Sequence, residues 1–265
     1  VERFAIASDG SLSTPTLGTD NVRFGENAGN SIASGGIRNV LIGKNAGTAI
    51  TTGDSNVAVG WEALKTEDTH ANSVAIGASA LATQNAGADA YNVAVGYNAG
   101  TAITTGIQNV LIGGLAGDHL LDSDGNTAVG HGALTTDTLG AKSVAVGREA
   151  LVTQNFTSAT DAFNTAVGYA AGQSATTGVQ NTLIGGKAGD SLTGGGFSGT
   201  TRQDGADYNT VVGQDALQTD TLGSRSVAIG RRSLYTQNFT SATDTYNIAV
   251  GFNAGYGVTT GINNT

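Results

Sequence analysis

Few side chains in this sequence have the types and spacing that catalysis requires. Cleavage of a glycosidic bond needs two carboxylates at a defined separation, and the only candidates are Asp190, Asp204 and Asp207, around the longest insertion. The chain contains no cysteine, which excludes thiolate zinc sites, iron–sulfur clusters and cysteine nucleophiles. It also contains no nucleophile elbow, HExxH motif or phosphate-binding loop. We therefore predict no catalytic residues and a non-enzymatic protein, with a glycan-cleaving site as the enzymatic alternative.

The sequence also predicts no metal and no cofactor. His70, His119 and His131 lie far apart and do not show the spacing of metal ligands, so each is interpreted as a loop or surface residue. The segment 122–126 begins like a calcium-binding loop but lacks the downstream bidentate glutamate. That composition favours an Asp-Gly turn instead.

Four aromatic residues are the sequence candidates for ligand binding, because each directly follows a glycine that closes a repeated core. They are Trp61, Tyr97, Tyr169 and Phe252. Aromatic rings present a large apolar face to a partner, and such faces can stack on sugars. One interpretation is therefore contact with a glycan or protein receptor, and the other is contact between neighbouring repeats.

Charge and hydropathy narrow the class of partner. Twelve Lys and Arg stand against 21 Asp and Glu, a net charge of −9, which argues against nucleic acid. No apolar run approaches the roughly 18 residues that span a bilayer, so we expect no membrane insertion. The 41 glycines are about twice the usual share, and the glycine content therefore needs a structural explanation.

Glycine recurs because the chain repeats a five-residue core of the form N-V-A-V-G. Thirteen cores close at Gly25, Gly43, Gly60, Gly77, Gly96, Gly113, Gly130, Gly147, Gly168, Gly185, Gly213, Gly230 and Gly251. Most intervals between them are 17 residues, which defines a 17-residue rung with occasional insertions. Val and Ile recur at period two in short runs interrupted by Gly or Asn, which favours strands over helices. The fold predicted is all-β, a parallel β-solenoid (β-roll or β-helix) of about thirteen rungs.

A longer period groups the rungs into four-rung cassettes. We assign residues 1–20 to an N-terminal degenerate rung or connector and 21–265 to the solenoid. The cassettes lie near 21–91, 92–163 and 164–246, and a partial one follows at 247–265.

Two columns of the repeat predict the corners of the solenoid. Asn stands four residues before the closing glycine in ten rungs, and Ser stands there in three. We expect the stacked side chains to bond to one another and to turn backbone, and the glycine to adopt a positive φ or allow close backbone approach. The corner residues named on this basis are Asn56, Gly60, Asn92, Gly96, Asn126, Gly130, Asn164 and Gly168.

The strand itself carries the prediction about partners. Val, Ile or Thr occupies the first and third strand positions in most rungs and is assigned to the interior. The middle position, which would then point outward, is Ala, Leu or Val in twelve rungs, and Leu41, Leu111 and Leu183 would be exposed in register. We interpret this column as covered by another chain. The alternative is that Ala there is a neutral filler on an exposed face.

The cores SVAIGASAL, SVAVGREAL and SVAIGRRSL resemble the head repeats of trimeric autotransporter adhesins, although the adhesin repeat is shorter. The forms NVAVGYNAG and NTAVGYAAG look like repeats of bacteriophage tail fibres and other appendages. The resemblance covers about residues 21–265. It implies a left-handed solenoid and a homotrimer around one axis.

Together these patterns predict an extracellular structural and adhesive fibre, on a cell surface or a virion appendage. The solenoid forms the shaft, and its loops attach to a host glycan or protein receptor. The first alternative is a filament subunit that stacks end to end, and the second is a glycan-cleaving tail spike.

Overall fold

The computed structural model describes residues 5–6, 12–13, 18–194, 197–198, 201–202 and 205–265. The chain divides into two compact units, Val1–Asp122 and Ser123–Thr265, and each is described by itself. The described residues form strands and turns with no helix. Accordingly, that part of the chain contains no helix with the length and hydropathy to cross a membrane.

The strands are short, with two or three residues each. The first unit contains β1 Ala5–Ile6, β2 Leu12–Ser13, β3 Val22–Phe24, β4 Val40–Ile42, β5 Val57–Val59, β6 Val74–Ile76, β7 Val93–Val95 and β8 Val110–Ile112. The second unit contains β9 Thr127–Val129, β10 Gly140–Ala141, β11 Val144–Val146, β12 Thr160–Asp161, β13 Thr165–Val167, β14 Thr182–Ile184, β15 Phe197–Ser198, β16 Thr201–Arg202, β17 Thr210–Val212, β18 Gly223–Ser224, β19 Val227–Ile229, β20 Thr243–Asp244 and β21 Ile248–Val250.

The three-residue strands confirm the parallel β-solenoid. In the first unit β3 to β8 pair successively in parallel and in register, with Leu41 opposite Ala58 in the β4–β5 pair. In the second unit β9, β11, β13, β14, β17, β19 and β21 pair in the same way, with Ala166 opposite Leu183. The six and seven strands correspond to the thirteen predicted rungs.

The N-terminal segment pairs differently. Its described residues, in β1 and β2, form an antiparallel pair with Ile6 opposite Leu12. Residues 18–20 of the predicted N-terminal segment form a bend, and its other residues lie outside the described residues. The antiparallel pairing of β1 and β2 therefore contrasts with the parallel pairing of the solenoid strands.

The orientation of the strand residues is opposite to the one predicted. The middle residue points into the turn and is completely buried, as at Leu41 and Leu111, whereas Ile42 and Ile112 on the outer face are 37% and 39% exposed. The prediction was wrong because it assigned β-branched residues to the interior from their general preference for buried strands. The turn interior is narrow here and admits mainly Ala or Leu. The Ala/Leu column therefore marks that interior and not a contact with a second chain.

The interior alternates large and small side chains. Leu41 at the middle strand position is matched by Gly47, where an added Cβ would lie 2.6 Å from the Leu41 side chain and 2.8 Å from that of Ile50. In the next turn the sizes are exchanged, with Ala58 in the strand and Leu64 at the position equivalent to Gly47. This exchange fills a narrow core without voids, and it explains the alternation of Gly and Leu in the repeat.

The corner residues occupy the predicted places. Gly60 has a φ of 140°, and a Cβ there would lie 2.4 Å from the carbonyl oxygen of Gly77. Asn56 is completely buried. Its Oδ1 accepts a hydrogen bond from the Ser73 backbone N at 3.0 Å, and its Nδ2 donates to the His70 carbonyl oxygen at 2.9 Å. One side chain thus closes its own turn and joins it to the next.

The same two bonds recur at other corners of both units. In the first unit Asn92 Oδ1 accepts from the Asn109 N at 2.8 Å while its Nδ2 donates to the Gly106 carbonyl oxygen. In the second unit Asn164 bonds in the same way to the Asn181 N and the Gly178 carbonyl oxygen. The Asn side chains at these corners therefore bond to the backbone of their own turn and of the next turn.

Candidate functional site

The candidate site is the outward face of the parallel sheet, defined here as the first and third residues of the three-residue strands. These residues are mostly Val, Ile and Thr, and all are half-buried or exposed, because alternate strand residues point to opposite faces. Soluble proteins seldom expose apolar side chains in contiguous rows. The face therefore has the character of an interaction surface.

Aromatic residues extend the outward face on both sides in three of the turns. In the first unit Tyr91 and Tyr97 flank Val93 and Val95, and the two rings are 54% and 62% exposed. The second unit repeats this row twice. Its members are Phe163, Thr165, Val167 and Tyr169 in one turn and Tyr246, Ile248, Val250 and Phe252 in another.

Cationic side chains lie over several of these rings in the second unit. Lys142 Nζ is 5.3 Å from the centre of the Phe163 ring, and the guanidinium of Arg225 is 4.8 Å from that of Tyr208. The Arg148 guanidinium lies 6.0 Å from the centre of the Tyr169 ring. Such contacts hold exposed aromatic rings in place, so the rings are positioned by their neighbours along the stack.

The structure places all four predicted aromatic candidates on the surface. Trp61 and Tyr97 in the first unit, and Tyr169 and Phe252 in the second, are all more than half exposed. Trp61 and Tyr97 are two turns apart, with Ala78 at the equivalent position between them. The aromatic residues within a unit therefore do not form one uninterrupted ladder.

Sequence analysis missed a buried polar cluster that accompanies each Ser-type corner. Asp137 Oδ1 accepts hydrogen bonds from the backbone N of Gly140 at 3.0 Å and of Phe156 at 3.1 Å. Its Oδ2 accepts from Gln154 Nε2 at 2.6 Å, and that same Nε2 also donates to Ser143 Oγ at 3.1 Å. The glutamine thus links the carboxylate to the Ser143 corner, where the serine side chain is shorter than the asparagine of the other corners.

Two further clusters have the same arrangement of an acid, a glutamine and a Ser-type corner. One contains Glu67, Ser73, Gln84 and Asn92, and the other contains Asp220, Ser226, Gln237 and Asn247. Burial raises the pKa of Asp137 and of Asp220, against the lowering effect of their hydrogen bonds to Gln154 and Gln237. The sequence signal was a constant 17-residue spacing between the acid and the glutamine.

One group among the described residues has the composition of a metal site. Ligand atoms of Glu67, Asp68 and His70 lie within 4.8 Å of one another. Glu67 is completely buried, and its oxygens accept from His70 Nδ1 at 3.0 Å and from Gln84 Nε2 at 2.9 Å. Since both carboxylate oxygens already have partners, we interpret the group as part of the buried cluster. His119 is paired with Asp118.

The carboxylates considered for glycan cleavage have different environments. Asp207 is 3% exposed, and its Oδ1 accepts from the Val179 backbone N at 2.8 Å, so it serves a corner. Asp190 is half-buried, and burial raises its pKa while the nearby charge of Lys187 lowers it. Asp204 lies outside the described residues.

No protein-family model, curated protein or solved structure matches this chain in the comparisons made.

Proposed function

We propose that the chain is a structural and adhesive fibre protein whose solenoid associates with other copies of itself through the outward face and presents loops for attachment. The apolar outward face is the observation that carries this proposal. Val and Ile side chains recur there in most turns and are half-buried or exposed in the single chain. The proposed location is extracellular, on a cell surface or a virion appendage, following the resemblance to adhesin and tail-fibre repeats.

The size of the face is adequate for association. Seven strands at a spacing of about 4.8 Å extend about 34 Å along the stack in the second unit. With the aromatic column that precedes the strands, which contains Phe163 and Tyr246, the face of this unit is about 13 Å wide, which gives roughly 440 Å². The column after the closing glycine, which contains Tyr169, is left outside this face. The six strands of the first unit carry a corresponding face of roughly 380 Å². A standard protein–protein interface buries about 800 Å² on each partner, so the areas of the two faces together are sufficient for a stable contact between copies.

The proposed assembly is a left-handed homotrimer. Both the number of copies and the handedness follow from the resemblance to trimeric autotransporter head repeats. Association through the Val/Ile face replaces the contact first inferred from the Ala/Leu column, because that column is buried within each turn.

Charge placed on the outward face tests the proposal. Val167 lies at the third position of β13 and is 36% exposed, so Val167→Glu adds a carboxylate without entering the turn interior. Chemical crosslinking is expected to give a three-chain product for the unmodified protein and mainly single chains for this variant. Thr157→Glu is the matched control, since Thr157 is exposed in a loop of the same unit. Equal crosslinking of both variants would contradict the proposal.

Electron microscopy separates the shaft from the end-to-end filament. Rods of one length at every protein concentration support the shaft, whereas rods that lengthen with concentration support the filament. A purified sample that binds neither cells nor surface polysaccharide would contradict the adhesive role.

A further inference from the structure

A surface cleft in the second unit lies beside the turn that contains β14. Its lining residues are Tyr169, Gly186, Lys187, Gln214 and Asp215, and its volume is about 400 Å³. This volume falls at the lower end of the range for small-molecule sites, which is roughly 300–1,000 Å³. The cleft therefore has room for one or two small rings.

Gly186 creates the cleft by leaving a gap in a column of side chains. Tyr169, Gly186 and Gln214 each follow the closing glycine of consecutive turns, and backbone bonds join Lys187 N to the Tyr169 carbonyl oxygen and Asp215 N to the Gly186 carbonyl oxygen. With a spacing of about 4.8 Å per strand, Tyr169 and Gln214 stand about 10 Å apart. That separation leaves room for one ring stacked on the Tyr169 side at a contact distance of about 3.5–4.0 Å.

Substitution at Gly186 would fill the gap without straining the backbone. The nearest atom to an added Cβ is the Tyr169 carbonyl oxygen at 3.9 Å, an ordinary van der Waals distance. No positive φ is recorded at Gly186, in contrast to the preceding Gly185, whose φ is 132°. Gly186 is therefore not required by the fold, and a larger side chain here is a clean way to block the cleft.

The walls of the cleft combine one aromatic face with hydrogen-bonding groups of opposite charge. The ring of Tyr169 is about half exposed, and Gln214 offers an amide that can both donate and accept. Lys187 donates, and Asp215 accepts beside the guanidinium of Arg232 at 3.7 Å. The positive and negative lining charges balance, which favours a neutral polar ligand over a phosphate-bearing one.

Two buried polar atoms near the cleft have no hydrogen-bond partner. They are Oδ1 of Asp190 and Nε of Arg232. Arg232 Nε lies 3.7 Å from Asp215 Oδ2, and the charge of Lys187 lowers the pKa of Asp190 while that of Asp215 raises it. Buried polar atoms normally have hydrogen-bond partners, so these two atoms are hydrogen-bonding groups that the folded chain itself leaves unpaired.

We propose that this cleft binds one saccharide ring, with the C–H face of the sugar on Tyr169 and its hydroxyl groups bonded to Gln214, Lys187 and Asp215. A saturated sugar ring has an apolar face and a rim of hydroxyl groups, which matches an aromatic wall beside an amide, an ammonium and a carboxylate. The choice of a surface glycan as the ligand rests on the attachment role proposed above, since the cleft would be the contact point of the fibre.

Tyr97 in the first unit provides an internal comparison. It occupies the same position after its closing glycine as Tyr169 and is similarly exposed. In the following turn, however, the residue equivalent to Lys187 is Leu115. The first unit thus has the aromatic ring but lacks the ammonium group at the equivalent of the Lys187 position.

The experiment is saturation-transfer NMR of the full chain with three free sugars: galactose, N-acetylglucosamine and glucuronic acid. We expect signal transfer to the ring protons of at least one of the two neutral sugars, galactose or N-acetylglucosamine. Affinity is expected to fall at least about tenfold in Tyr169→Ala, which is typical for loss of a central aromatic contact, and in Gly186→Leu. Thr157→Ala, at an exposed loop residue of the same unit, is expected to bind as the unmodified protein does. Circular dichroism of each variant confirms the fold.

Several results would overturn the saccharide site. These are no transfer to any of the three sugars, transfer to glucuronic acid alone, unchanged binding in Gly186→Leu, or an equal loss in Thr157→Ala. Binding of adenosine in preference to the sugars would likewise contradict the ligand class. Crosslinking of the same samples distinguishes this failure from that of the fibre: three-chain products without sugar binding refute the cleft alone, whereas single chains refute the assembly.

Discussion

Replacement of Asn56 by alanine removes both hydrogen bonds that the buried corner side chain makes. The Ser73 backbone N and the His70 carbonyl oxygen, at 3.0 and 2.9 Å from it, then lose their partner. Leaving a buried polar group unsatisfied costs about 1–3 kcal/mol. Two such groups predict that Asn56→Ala lowers the free energy of unfolding by about 2–6 kcal/mol.

Urea unfolding followed by circular dichroism measures this effect. With a slope of about 3 kcal/mol per molar urea, the expected loss moves the midpoint down by about 1–2 M. Asn85→Ala is the matched control in the same unit, because Asn85 is exposed and its backbone does not adopt a positive φ. We expect that control to change stability by less than about 0.5 kcal/mol. Equal midpoints for the two variants would refute the corner argument.

Three further predictions concern the core and the buried carboxylates. Leu111→Ala is expected to lower the free energy of unfolding by about 3–5 kcal/mol because it opens a cavity in the turn interior, whereas Ile112→Ala on the outward face should lower it far less in the single chain. Thermal unfolding under conditions that dissociate the assembly compares the two variants. Equal losses would instead support the original assignment of the two faces. Gly47→Ala should destabilise by about 1–3 kcal/mol through overpacking, and a gain in melting temperature would contradict the close contacts described. Burial raises the pKa of Asp137 and Asp220 above the ordinary 3.8, so the folded state holds these protons more tightly than the unfolded state does. The free energy of unfolding should therefore fall as pH rises from about 4 through the raised pKa. A variant with both residues changed to Asn that shows the same dependence of stability on pH over that range would disprove the assignment.

The features that repeat in every turn could be predicted from the sequence. The 17-residue period, the parallel strands, the Asn corners and the positive φ at glycines such as Gly60 all follow from local chemistry at fixed positions. A repeat shows each residue type many times, and therefore separates a corner from a strand.

The faces could not be predicted from residue type alone. Alternation establishes that Leu41 and Ile42 point in opposite directions. Because both residues are apolar, residue type does not show which of the two faces the turn interior. The decision depends on the width of the turn, which the tertiary structure sets. The preference of β-branched residues for buried strands therefore gave the wrong answer.

The buried acid–glutamine clusters were missed for a different reason. Glu67, Asp137 and Asp220 lie in turns of a charge-poor chain, where an acid is ordinarily a solvated residue. Only the structure shows that glutamines such as Gln154 lie one turn away and join them to the Ser corners. The cleft beside Gly186 was also invisible in the sequence, because it is defined by an absent side chain between two turns.

Sedimentation equilibrium of the unmodified protein tests most directly whether the exposed sheet face joins copies of the chain. We predict the mass of three chains of 26.3 kDa each, maintained on dilution to micromolar concentration, at which specific interfaces remain occupied. The mass of a single chain at every concentration would contradict it.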